Sequence, residues 1–369
     1  MRTLVLRLLI GICCVCDAAA AQAFDGSGFE GMVRLTLDDR QIEGRPLAWN
    51  SNMVYLLGRG GRLWQFPPDD ATDFSKTSPR FQSYSVSELR GELLRELGNR
   101  YEVTGTGHYL IAHPRGQRDV WPQRFEDLYR SFVHYFSVRG FKPQEPPYLL
   151  IGIVGKDQRE FARIAASRSV RVTPGILGFY RPASNQILLY DSGADWNRQQ
   201  RNHEPWQPSA AVIIHEAVHQ AAFNTGIHSR YVPPPVWVAE GLATMFEAPG
   251  VYNSHDHPDR SDRVNRGRLH QFRKIIAAKH RPELLRSIIA SDDLFRTNPA
   301  TAYAEAWALS FLLVETRPRQ YTKYLALTTA HPAFTETTAA ERRADFTSVF
   351  GTDWQMFEAR FLRFMAGVK

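Results

Sequence analysis

Residues 212–221 read VIIHEAVHQA, and within them His215, Glu216 and His219 make the pattern H-E-x-x-H. On a helix, positions four apart share a face with Cβ atoms about 5–6 Å apart, so both imidazoles can reach one metal ion at about 2.0–2.1 Å. Glu216 follows the first histidine and projects beside such an ion rather than onto it. A carboxylate there can take the proton of a zinc-bound water and so make hydroxide near neutral pH. The chemistry on offer is metal-assisted hydrolysis.

Five residues match by chance often enough that the flanks must decide. Val212, Ile213, Ile214, Ala217 and Val218 are uncharged and no proline interrupts them, while Ser209 suits an N-cap and Gly226 a C-terminal stop. Such a helix runs through a core and shows one polar edge to a cleft. Without a metal, its two buried rings would need other partners.

A catalytic zinc site takes three protein ligands and keeps its fourth position open. The third ligand must therefore come from elsewhere in the chain. Pro233-Pro234-Pro235 precedes VWVAEGLATMFEAPG, which reads as a second helix closed by Pro249-Gly250. Glu240 is a lone carboxylate there among Trp237, Val238, Leu242, Ala243 and Phe246. A charge on an apolar helix is costly unless it is paired or binds a cation, and ligation of zinc meets that need. Glu247, two turns on and near the helix end, reads as a cap-region or surface carboxylate.

HEAVHQ followed about twenty residues later by WVAEGLA resembles the gluzincin class of zinc metallopeptidases, in particular the compact WxxEG members of the peptidase MA clan. Among uncharacterised bacterial families the chain is most similar to DUF1570. The resemblance spans roughly residues 86–369 and is strongest over 209–250. It implies His215, His219 and Glu240 as ligands of one Zn2+, Glu216 as general base, and an α+β zincin domain with a helical C-terminal part. It also implies that a tyrosine on a helix beyond the third ligand stabilises the oxyanion, a place that Tyr303 matches by position and type. The sheet edge before the zinc helix would bind the substrate backbone, which points to Gly178, Phe179 and Tyr180.

Two neighbouring patterns differ. A metzincin needs glycine and histidine three and six residues after the second ligand, where this chain has Ala222 and Thr225. The thermolysin-like variant places an aspartate four residues after the ligand glutamate to steady a zinc histidine; Thr244 stands there. The partner that orients the histidines is thus left open.

At 369 residues and 43% hydrophobic content the chain can bury a large core and is not disordered. Its first residues carry Arg2 and Arg7, an apolar run to Val15, and Ala21-Gln22-Ala23, the form of a signal-peptidase site. Cleavage after Ala23 is the expectation, with a periplasmic or secreted product; the run is shorter than the roughly 20 residues of a membrane anchor. All three cysteines, Cys13, Cys14 and Cys16, lie in this leader, so neither disulfides nor thiolate ligands are expected in the mature chain. The formal charge of +7 falls to about +6 without the leader. No basic block interleaved with aromatics marks a nucleic-acid surface. Peptide or protein is the expected substrate, no stable membrane span is expected after cleavage, and the oligomeric state is open.

Around these residues the elements follow the patterning. Short alternating segments between residues 24 and 70 predict a small β-rich N-terminal module, and residues 67–83 read as a linker, giving a module over 24–85 and a peptidase-like domain over 86–369. Helices are predicted over 86–97 and through Phe125, Leu128, Tyr129, Phe132, Val133 and Phe136; strands over 101–104, 108–112 and 148–154; and a pair of strands over 178–190. After residue 263 the pattern is helical, with Tyr303, Trp307, Ser310, Phe311 and Val314 on one face and a C-terminal stripe of Trp354, Phe357, Phe361 and Phe364. His255 and His257 fall in an Asp-rich loop, and His203 and His228 lack supporting spacing. Two other readings share the pattern: a non-catalytic envelope protein that zinc only braces, and an amidase acting on cell-wall peptide.

Overall fold

The computed structural model describes residues 31–116, 121–173, 175–190, 209–279 and 283–369. The expected leader, its cleavage site and His203 lie outside them. The fold is mixed α+β, with two five-stranded sheets in the N-terminal half and helices in the C-terminal half.

The first sheet comprises β1 (Met32–Leu37), β2 (Arg40–Trp49), β3 (Val54–Gly58), β4 (Leu63–Phe66) and β5 (Ala71–Ser78), in the order β4-β3-β2-β1-β5 with antiparallel pairing throughout. Alternation places Val33, Leu35, Ile42, Val54, Leu56 and Phe66 in one small core. β5 corrects the reading of residues 67–83 as a linker. Its sequence, ATDFSKTS, has no apolar alternation because both its faces are largely solvated, yet it pairs with β1 across two register shifts. Backbone pairing to an edge needs no hydrophobic face.

After α1 (Val86–Leu97) come β6 (Tyr101–Gly105), β7 (Tyr109–Pro114), α2 (Trp121–Ser137), β8 (Leu150–Gly155), α3 (Gln158–Ala166), β9 (Gly178–Arg181) and β10 (Gln186–Tyr190). The second sheet runs β6-β7-β8-β10-β9, with β7, β8 and β10 parallel and the two outer strands antiparallel. Ser85 and Glu88 form a reciprocal capping box at the start of α1. That helix and α3 bury Leu89, Leu93, Phe161 and Ile164 against Leu110, Ile151, Ile153 and Leu188 of the sheet. The wholly buried LIGIVG of β8 is the signature of a central parallel strand.

The remaining elements are α4 (Ser209–Asn224), α5 (Val236–Phe246), α6 (Pro249–Tyr252), α7 (Arg266–Lys279), α8 (Glu283–Ala290), α9 (Asp293–Thr297), α10 (Pro299–Thr316), α11 (Pro318–Thr328), α12 (Ala339–Phe350) and α13 (Trp354–Gly367). By compactness the chain divides into two units, one holding both sheets and residues up to Glu126 and Pro146–Ala194, the other holding Asp127–Glu145 and the helices from α4 onward. One of the divisions falls within α2. None of the helices among the described residues is long and apolar enough to cross a membrane.

In the helical unit α10 is the central rod. Every residue from Ala302 to Val314 is buried, so the residues predicted to share one face belong to a helix surrounded on all sides. α5 is buried along its whole length as well. The two helices approach closely because Gly241 has no side chain: a Cβ there would sit 2.5 Å from the carbonyl oxygen of Ala306 and collide with Ser310 Oγ.

Candidate metal centre

α4 ends as its sequence demands. The Thr225 amide bonds back to the Ala221 carbonyl, and Gly226 follows with φ +82°, a left-handed conformation that releases the chain from the helix. α4 begins at Ser209, so the expected cap lies at the limit of the described residues. At the start of α5 the Val236 amide donates to Asp292 Oδ1 (3.1 Å), and Asp292 is clamped by two bonds from Arg342 of α12 (2.8 and 3.0 Å). This fixes the helix that carries Glu240.

The two helices bring the predicted ligands together. His215 Nε2 lies 3.1 Å from Glu240 Oε2 and 3.1 Å from His219 Nε2, while His219 Nε2 lies 3.5 Å from Glu240 Oε1. All three residues are buried, and their donor atoms lie within 4.8 Å of one another. A tetrahedral zinc with ligands at about 2.0–2.1 Å separates its donors by about 3.3 Å, so this triangle has the size that one ion requires. Among the described residues it is the one such cluster. His255, by contrast, is 98% exposed and His257 only half-buried, as expected of surface positions.

Glu247 is the C-cap residue of α5, as its place near the helix end suggested, but it is not a surface carboxylate. Its Oε1 lies 2.9 Å from His215 Nδ1 and its Oε2 accepts 2.8 Å from Asn265 Nδ2, which also donates to the Thr244 carbonyl (3.0 Å). Seven residues make two helical turns less about 20°, so Glu247 returns to the face of Glu240. A carboxylate beside Nδ1 favours a proton there, the tautomer that would offer Nε2 to a metal once Nε2 gives up its own proton. Thr244, at the position where the thermolysin-like pattern has aspartate, instead bonds through its hydroxyl to the Glu240 carbonyl. The signal missed in the sequence was the seven-residue spacing between two glutamates on one apolar helix.

Electrostatics support the same arrangement. Burial alone would lower the His215 pKa, but hydrogen bonds to Glu240 and Glu247 and the charges of Glu240 and Glu216 raise it to about 10. Glu240 is held far below the usual carboxylate range because the two histidines outweigh its desolvation. Both shifts favour positive charge among these three groups, the charge that a bound cation would supply. Glu216 is 1% exposed, and its charge acts on both His215 and Tyr303.

Tyr303, in the first turns of α10, lies with its ring centroid 6.4 Å from that of His215. It stands edge-on to Phe295 (5.4 Å), and the Arg268 guanidinium lies 5.0 Å from its centroid. Burial, followed by the charges of Glu240 and Glu216, raises its pKa well above the ordinary value. The hydroxyl is near enough to Glu240 to be perturbed by it but meets hydrogen-bond geometry with no group among the described residues. A buried phenol so placed is a donor in reserve.

His228 also belongs to this region, although spacing alone gave no reason to expect it. It is buried on the loop after α4, packs edge-on to Phe223 (5.3 Å), and is pushed down to about 3 by burial and by His219. Gly178, Phe179 and Tyr180 form β9, the outermost strand of its sheet; Phe179 packs on Phe161 (5.9 Å) and the Tyr180 hydroxyl donates to Asn185 Oδ1 (2.9 Å).

A family model described as "Protein of unknown function (DUF1570)" matches residues 209–335, which include every residue of the cluster and Tyr303. No curated protein matches. Among solved structures, the chain is similar to a point mutant of an M1 zinc metallopeptidase from Deinococcus radiodurans, at 14% identity, a TM-score of 0.37 and 73% coverage of this chain. It spans about half that structure's length (52%).

Proposed function

We propose that this chain is an exported zinc metallopeptidase whose ligands are His215, His219 and Glu240. The supporting observation is the buried triangle of three donors with edges of 3.1–3.5 Å, beside which Glu216 is not a ligand but its charge is felt. A merely bracing site has no use for that extra buried carboxylate. When bound, zinc would supply Lewis acidity toward a carbonyl and lower the pKa of a water molecule.

The chain's own residues do the rest. Glu216 accepts the proton of the attacking water and returns it to the leaving amine. Glu247 keeps the His215 ring in its orientation and tautomer, with Asn265 holding Glu247 in turn. Tyr303 donates its hydroxyl hydrogen to the oxygen that becomes negative in the tetrahedral intermediate, and its raised pKa keeps that proton in place at neutral pH. The leader over residues 1–23 directs the chain to the periplasm or the exterior.

Elemental analysis tests the ligand set. One equivalent of zinc per chain, lost in Glu240→Ala, is expected; well under one equivalent in protein refolded with zinc, or a Glu240→Ala variant that binds as tightly as the parent, would refute it. N-terminal sequencing of the exported chain is expected to begin at Phe24, and a species retaining Met1 in the membrane fraction would replace the leader by an anchor.

A further inference from the structure

A ring of contacts, all within the helical unit, leads from His215 back to His215 by way of α7. His215 meets Glu247, Glu247 meets Asn265, and the side-chain carbonyl of Asn265 accepts the Arg268 amide (3.1 Å), which caps the first turn of α7. Leu269 and Phe272, both buried, seat that helix, with Phe272 edge-on to Phe361 of α13 (5.4 Å). The turn so fixed places the Arg268 guanidinium on the Tyr303 ring, 5.0 Å from its centroid, and that centroid lies 6.4 Å from the centroid of His215. The guanidinium is therefore no more than about 12 Å from the His215 ring, the length of about four extended residues.

Arg268 is the member of this ring that the mechanism above does not use. It is half-buried, so its head can meet both Tyr303 and a ligand arriving from solvent. Among the described residues its guanidinium has one hydrogen-bond partner, Gln271 Oε1, to which Nη1 donates (3.1 Å), and it forms no ion pair. Most of the N–H groups of the fork are thus free to take a ligand. Burial and the charges of Glu240 and Glu216 raise the Tyr303 pKa, and the Arg268 charge acts against them. A peptide carboxylate brought to this region is repelled by those glutamates, and a cation within reach offsets the repulsion. The planar fork binds a carboxylate through two parallel charge-assisted bonds, each about twice as strong as a bond to a neutral carbonyl.

We propose that Arg268 sets substrate specificity by holding a carboxylate of the peptide within about four residues of the scissile bond. Two sources have this chemistry. The C-terminal carboxylate would make the protein release short C-terminal fragments, whereas an acidic side chain would direct internal cleavage near a glutamate or aspartate. Arg268 meets the substrate away from the reacting atoms and is a specificity residue, not a catalytic one. This assignment rests on the peptidase reading above.

Acetylated six-residue peptides of one neutral sequence test it by calorimetry on full-length Glu216→Gln protein: one with a free C-terminal carboxylate, one amidated, and an amidated series with a single glutamate at each position in turn. The free carboxylate, or glutamate at a particular position, should bind at least about tenfold more tightly than the neutral amide, equivalent to about 1.4 kcal/mol, and which of them does so identifies the source. When Arg268→Gln is added the advantage should fall below about twofold or reverse, and with Arg268→Lys, which keeps the charge without the fork, it should be intermediate. The advantage should persist after a chelator removes zinc. Equal binding of all the peptides, an advantage unaltered by Arg268→Gln, or one that disappears with zinc and so belongs to the metal, overturns the proposal. A loss of kcat/KM in Arg268→Gln alone that is the same for every peptide overturns it in favour of a role in positioning Tyr303. Hydrolysis by the zinc-loaded parent separates this assignment from the reading it rests on. Cleavage of neutral amidated peptides as fast as the others removes the carboxylate site and leaves the peptidase; the binding advantage with no cleavage of any peptide does the reverse.

Discussion

Glu247 Oε1 lies 2.9 Å from Nδ1 of His215, on the side of the ring opposite the Nε2 that meets Glu240. One helix therefore supplies both a ligand and the group that aims another ligand. Because the bond fixes tautomer and basicity together, Glu247→Gln should weaken zinc about ten- to a hundredfold while leaving the three ligands in place. Competition with a chelator reads this directly. Asn265→Ala, which only loosens Glu247, should cost less, and an unchanged affinity in Glu247→Gln would show that the histidine is oriented by other means.

Gly241→Ala should be strongly destabilising although it adds one methyl group. The new Cβ would meet Ser310 Oγ and, at 2.5 Å, the backbone carbonyl oxygen of Ala306, which cannot turn aside, so the helices must move apart. Overpacking of this kind costs about 1–3 kcal/mol, and thermal unfolding should drop by several degrees. The separation also shifts Tyr303 relative to Glu240. Activity per folded molecule should then fall as well.

Tyr303→Phe should bind zinc normally and lower turnover about ten- to a thousandfold, with a smaller change in KM, because the hydroxyl is used only once charge develops on the substrate oxygen. A variant with parental kcat would assign the phenol to packing against Phe295 and Arg268.

Glu305, on α10 and 2% exposed, has its pKa raised to about 8 from 4.5 by burial and by Glu358. Below pH 4.5 the carboxyl is neutral in both states and contributes no pH dependence. Between about 4.5 and 8 the unfolded chain releases the proton while the folded chain keeps it, so stability falls as pH rises, and above 8 the loss is complete. Glu305→Gln cannot ionise. Its melting temperature should match or exceed the parent's by a growing margin from about pH 5 to about pH 8.5, and a constant margin would show that Glu305 is solvated in the folded state.

Much of this was legible in the chain because it rested on local rules. The two helices of the candidate metal site, their apolar faces and the left-handed stop at Gly226 follow from spacing and from one residue's backbone freedom. β8 and the β9–β10 pair follow from short β-branched runs bounded by turns. What escaped depended on contacts distant in sequence. β5 has no apolar pattern of its own and exists by pairing with β1. Glu247 is terminal on α5 in sequence and in structure, and it belongs to the site because His215 and Asn265, 32 and 18 residues away, bond to its two oxygens.

The central claim is that a carboxylate beside the metal ligands performs proton transfer in a hydrolytic site, and Glu216→Gln tests it most directly. Peptide-library digestion by parent and variant, each loaded with one equivalent of zinc, is the measurement. The parent should cleave, and the variant should keep its zinc and fold while losing about a hundred- to ten-thousandfold in kcat/KM. Cleavage undiminished in zinc-loaded Glu216→Gln, or no cleavage by the zinc-loaded parent across peptide and cell-wall substrates, would contradict the account.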